Sequence, residues 1–178
     1  MRNMKTKDLC VCAVMAALMC LAAPLSVPIG PIPISLATFI VYLAGALLGW
    51  KRGAVAVGVY ILLGAVGLPV FSGYQGGVQK LLGVTGGYIV GYLPLAVITG
   101  LAADRMADRK WALPAAMVAG TAVLYALGTV WFMAMTGNSL GASMGMCVLP
   151  FLPGDAAKIA VATVLSVLVR PRLSFLTR

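Results

Sequence analysis

The chain has 178 residues, 62% of them hydrophobic and only 10% charged, with a mean hydropathy of +1.04, which excludes an ordinary soluble domain. Its net charge of +9 comes from bases scattered in small groups between apolar runs without interleaved aromatics, a pattern of membrane topology and not of nucleic-acid binding. There is no His and no Glu, and Asp8, Asp104, Asp108 and Asp155 are the only acids, so acid–base catalysis and metal ligation have almost nothing to work with.

Six apolar segments follow one another at 8–27, 34–50, 53–70, 85–103, 111–134 and 153–170, each within or near the roughly 20 residues that cross a ~30 Å hydrocarbon core. They predict an all-α integral membrane protein, a single six-transmembrane-helix bundle over residues 1–178 embedded in the lipid bilayer, with the second segment the shortest. The first segment follows a basic "MRNMKTK" and is read as a retained helix, although Ala22 and Ala23 offer the small residues of a signal cleavage site. Cys10, Cys12 and Cys20 in that segment, and Cys147 later, make no CxxC pair and read as small apolar side chains. Small residues recur at four-residue spacing in Ala13/Ala17, Gly45/Gly49, Gly83/Gly87 and Gly87/Gly91, for which close packing inside the bundle is the default expectation and, on the first helix, an outer docking face the alternative.

Pro24, Pro28, Pro31 and Pro33 break the chain before the second segment. Between the third and fourth lies "GLPVFSGYQGGVQKLLGVTGG" (67–87), too rich in glycine for a plain helix and too apolar for a solvated loop. Irregular backbone at membrane depth is tolerated where it is buried in protein or lines a cavity, and Gln75, Tyr88 and Tyr92 would then supply an amide, rings and hydroxyls to a ligand. The plainer alternative is an outer loop whose tyrosines belong to an interfacial belt, as Trp111 and Trp131 of the fifth segment do.

Eleven of the thirteen bases fall in alternate connections: Arg2, Lys5 and Lys7; Lys51 and Arg52; Arg105, Arg109 and Lys110; Arg170, Arg172 and Arg178. Positive residues are retained on the cytoplasmic side, so both termini are expected to be cytoplasmic and the number of spans even. The connections 28–33, 71–84 and 135–152 hold only Lys80 and belong outside.

The remaining base, Lys158, sits in "PFLPGDAAKIA" (150–160), three residues after Asp155 and on the same face of the last helix. The positive end of the helix dipole suits Asp155 and disfavours Lys158 unless an anion is near. Ionisable residues at membrane depth cost roughly 2.5–3.5 kcal/mol on insertion scales and mark functional sites by default, the bland reading being an ion pair that only neutralises itself.

Taken together, "GLPVFSGYQGGVQKLLGVTGGYIVGY" (67–92), "PFLPGDAAKIA" (150–160), "IPISLATFIVYLAGALLG" (32–49) and the basic N-terminus resemble the BioY family, the biotin-binding S components of energy-coupling-factor vitamin transporters. The resemblance covers nearly the whole chain. It implies a multi-pass subunit of the prokaryotic cell membrane that takes biotin from outside as transported substrate, with no catalytic residue, metal or cofactor of its own. It further implies assembly with a transmembrane T component and two ATP-binding-cassette ATPases, which hydrolyse the ATP; a homo-oligomer is a further possible assembly. Carried over residue by residue, the "PGDxxK" match makes Asp155 and Lys158 ligand-binding, "GGY" adds Tyr88, and Gln75 stands in the loop where the family often has an amide. An Ala-x-x-x-Ala pattern at Ala13 and Ala17 would meet the coupling subunit. Val84, where the family commonly has Pro, and Tyr74 and Lys80 depart from the pattern in ways that bear on loop shape and capture. Biotin's ureido N–H groups suit Asp155 as acceptor, and its carbonyl or carboxylate suits Lys158 as donor, with the orientation left open. Competing readings are an S component for another vitamin, a membrane-embedded enzyme, and a passive structural or channel protein.

Overall fold

The computed structural model describes residues 6–28, 31–106, 109 and 111–173. Arg2, Lys5, Asp108, Lys110 and Arg178 lie outside the described residues. Helix α1 (Thr6–Ala22) is followed by a minimal antiparallel pair, β1 (Ser26–Val27) and β2 (Ile34–Ser35), in register Ser26 opposite Ser35. Then come α2 (Ala37–Ala65), a five-residue α3 (Val78–Leu82), α4 (Gly86–Arg105), α5 (Ala112–Thr136), a short α6 (Leu140–Cys147), α7 (Leu152–Val169) and a terminal 3-10 turn, Arg170–Leu173. Among the described residues, four helices are long and apolar enough to cross a membrane: α2, α4, α5 and α7 with its 3-10 extension.

The expected second and third segments, 34–50 and 53–70, correspond to α2, which ends at Ala65 and is not one straight rod. Gly49 has φ +78°, a left-handed conformation that a residue with a Cβ adopts only under strain, and a Cβ there would lie 2.4 Å from an Asp104 carboxylate oxygen. A Cβ built on Gly53 would lie 3.1 Å from the Ala44 carbonyl oxygen, whereas nine residues of continuous helix would separate the two by ~13 Å. The chain therefore folds back at Gly49 into two legs, 37–48 and 50–65. Asp104 closes the turn by accepting the Trp50 backbone N–H at 3.0 Å, satisfying one of the donors that a helix start leaves orphaned. Most residues of leg 37–48 are buried, as befits a helix inside the bundle.

α4 occupies the centre, packed against α2 on one side and α5 on the other, while α1 packs on α2 and α7 bridges α2 and α5. The small residues make the central contacts close. A Cβ on Gly45 would meet the Ala96 carbonyl oxygen of α4 at 2.7 Å, and one on Gly87 would strike Trp131 of α5 at 2.3 Å. Trp131 is thus a packing residue, with its indole N–H donating to the Gly83 carbonyl at 2.9 Å. In α1 the i, i+3, i+4, i+7 stripe of Cys12, Met15, Ala16 and Met19 is buried, whereas Ala13 and Ala17 are exposed on the outer side with Leu9 and Leu21. The expectation that Ala13 and Ala17 pack inside the bundle is therefore overturned: a neighbouring stripe of the same helix fills that place.

The basic connections gather at one end. Arg52 pairs with Asp8 at 2.9 Å, the Cys12 thiol donates to the Arg52 carbonyl, and the Arg170 guanidinium donates to the Ala103 carbonyl. The starts of α4 and α7 and of leg 37–48 lie at the other ends of those same helices, and the candidate site forms there.

Candidate functional site

On α7, Asp155, Ala162 and Ser166 are buried while Val161, Val164, Val167 and Leu168 face outward, so the one acid of the helix is on its inner face. Asp155 is 4% exposed and accepts three donors: the Tyr125 hydroxyl at 2.5 Å on Oδ2, and Lys158 Nζ at 3.0 Å and the Thr38 hydroxyl at 3.4 Å on Oδ1. The Lys158 ammonium in turn donates to Asp155, to Thr38 Oγ1 at 3.0 Å and to the Ser35 carbonyl at 2.8 Å, which uses its three hydrogens. An ion pair with partners on α7, α2, α5 and β2 is more than self-neutralisation, because it ties four elements to one polar centre.

This centre opens on a narrow inner cavity of about 50 Å³, walled by Tyr60, Phe71, Tyr88, Tyr92, Tyr125 and Phe151. Tyr60 and Phe71 meet edge to face, 5.6 Å between ring centres at 85°. Tyr88 and Tyr92, which an interfacial belt would have exposed, are both buried. The Tyr88 hydroxyl donates to the Cys147 carbonyl at 3.2 Å and lies 3.4 Å from Thr129 Oγ1, so it fastens α6 to α4 and presents its ring to the cavity. On the side of α3, Lys80 and Thr85 also line the cavity. Burial pulls the Lys80 ammonium below the ordinary lysine range.

Asp155, Lys158 and Tyr88 are therefore brought together, whereas Gln75 is not with them. Phe71 and Gln75 pair across a tight turn through Gly73 and Tyr74, both at positive φ; Phe71 takes the inner position and Gln75 is exposed. Gln75 instead lines an open surface pocket of about 450 Å³ with Gly76, Gln79 and Lys80. Sequence reasoning missed Tyr125, Thr38 and Ser35. A tyrosine near the middle of an apolar span was the available signal for the first, since a buried phenol needs a hydrogen-bond partner.

A helical membrane bundle whose inner cavity combines aromatic walls with converging polar groups defines a binder of a small amphiphilic ligand. The chain belongs to the BioY family, whose model matches residues 1–175. It is 38% identical to the biotin transporter BioY of Thermotoga maritima over 160 residues, 90% of this chain and 94% of that one. It is 37% identical to the probable biotin transporter BioY of Pyrococcus horikoshii, covering 92% and 96% of the two chains. Among solved structures, the S-component for biotin from an ECF-type ABC transporter superposes with a TM-score of 0.88 at 28% identity, over 95% of each chain.

Proposed function

We propose that this chain is a biotin-binding S component of an energy-coupling-factor importer, a binding subunit and not an enzyme. The observation that carries the reading is the Asp155 carboxylate, held by Tyr125, Thr38 and Lys158 at the edge of a cavity with aromatic walls. A carboxylate offers about four acceptor positions, and three are taken, which leaves room for a ureido N–H of biotin. Lys158 holds Asp155 in place and meets the ureido carbonyl by giving up one of its internal acceptors, while the Tyr88 ring and its aromatic neighbours enclose the bicyclic body. Gln75 greets the ligand in the outer pocket. The inner cavity holds only a few waters at ~10–15 Å³ each, so its walls part as the ligand enters.

In this reading the chain forms one membrane domain that crosses the cell membrane six times, with α1 and the two legs of α2 completing the set. The end where Asp8, Arg52 and Arg170 gather is cytoplasmic, with both termini there, and the cavity end faces outside. Ala13 and Ala17, exposed together on α1, form the face that docks a transmembrane T component, which two ATP-binding-cassette ATPases energise.

Titration calorimetry of the purified, folded chain with biotin, thiamine and riboflavin tests the proposal. Saturable binding of biotin alone, at about micromolar or tighter, is expected. Binding of another vitamin in preference to biotin would reassign the substrate, and no binding of biotin would overturn the reading.

A further inference from the structure

Lys80 is the one cavity-lining ionic group that the polar centre does not use. Among the described residues its ammonium has no acidic or hydrogen-bonding partner, and desolvation alone accounts for its lowered basicity. It borders both the inner cavity and the outer pocket that contains Gln75. The charged residues lining the inner cavity are Asp155, Lys158 and Lys80, so once the ion pair cancels, the cavity carries one net positive charge and it resides on Lys80. Five residues on, Thr85 also lines the cavity; it is 6% exposed, and its hydroxyl has no partner among the described residues.

We propose that Lys80 is the carboxylate-binding residue of this subunit, holding the anionic tail of the ligand at the mouth of the cavity while Asp155 receives its hydrogen-bond-donating ring. The inference rests on the biotin reading and deepens it by fixing the ligand's direction. An anion approaching Lys158 would have to displace an internal acceptor and would meet the Asp155 carboxylate at once. One approaching Lys80 neutralises a half-buried cation and displaces no internal acceptor among the described residues, which is the less costly electrostatic exchange.

The test is a comparison of two ligands on two proteins. Wild-type chain and Lys80→Gln are titrated with biotin and with biotinamide, whose tail is uncharged; near-ultraviolet circular dichroism checks folding. Lys80→Gln is expected to weaken biotin about ten- to hundredfold and to change biotinamide by less than about threefold, with Lys80→Arg restoring most of the biotin affinity. If Lys80→Gln leaves biotin unchanged, or weakens both ligands equally, the assignment is wrong even though the wild type binds biotin. Wild-type failure to bind biotin would overturn the functional reading itself.

Discussion

On the α7 side of the cavity, Asp155 and Lys158 are held by Tyr125, Thr38 and Ser35; on the α3 side, Lys80 and the Thr85 hydroxyl have no partner among the described residues. Both sides carry charge, yet the first has its desolvation compensated within the protein, and the second, half-buried beside an open pocket, has not. Internal partners make a group rigid and directional, which suits reading the shape of a ligand ring. An unpartnered group gains the most from a ligand, which suits capture of a charged tail.

Breaking the α7 side should have the largest effect. Lys158→Ala leaves a buried carboxylate uncompensated and should destabilise the fold by about 3–5 kcal/mol, read as a lowered midpoint of thermal unfolding in detergent. The double variant Asp155→Leu, Lys158→Met should recover most of that stability and still fail to bind biotin; recovery of binding would remove Asp155 from the site. Tyr125→Phe is the finer cut. Losing a 2.5 Å hydrogen bond to a carboxylate should cost about 1.5–3 kcal/mol, seen by calorimetry as weaker biotin binding and by thermal melts as a smaller stability loss than Lys158→Ala. Thr85→Val should have the smallest effect and the opposite sign in stability, because the hydroxyl removed is unsatisfied in the free protein. Unfolding should be unchanged or delayed, with biotin affinity falling by about 0.5–1.5 kcal/mol. A stability loss in Thr85→Val as large as in Tyr125→Phe would erase the contrast between the two sides.

Asp155 and Lys158 were legible in the sequence because charge inside an apolar helix is rare and their three-residue spacing admits one geometry. Tyr88 was legible through its motif. Thr38, Ser35 and Tyr125 were not, since hydroxyl residues are common in membrane helices and only the fold tells which of them converge. Lys80 read as a loop base, and its place on the cavity follows from α3 packing beside α4 with Lys80 and Leu81 on its half-buried side. The break between the second and third segments was visible at "GWKRG", but the shape of the turn depends on the long-range contact between Gly49 and Asp104. α6 escaped notice because eight residues with glycines carry too little periodicity; what holds them is Ser139 at the helix start and the Tyr88 hydroxyl on the Cys147 carbonyl.

The most direct measurement is a structure of the chain with biotin bound. The account predicts the ureido ring against Asp155 within the aromatic walls and the carboxylate within hydrogen-bonding distance of Lys80 Nζ. A carboxylate seated on Lys158, or biotin bound outside this cavity, would contradict it.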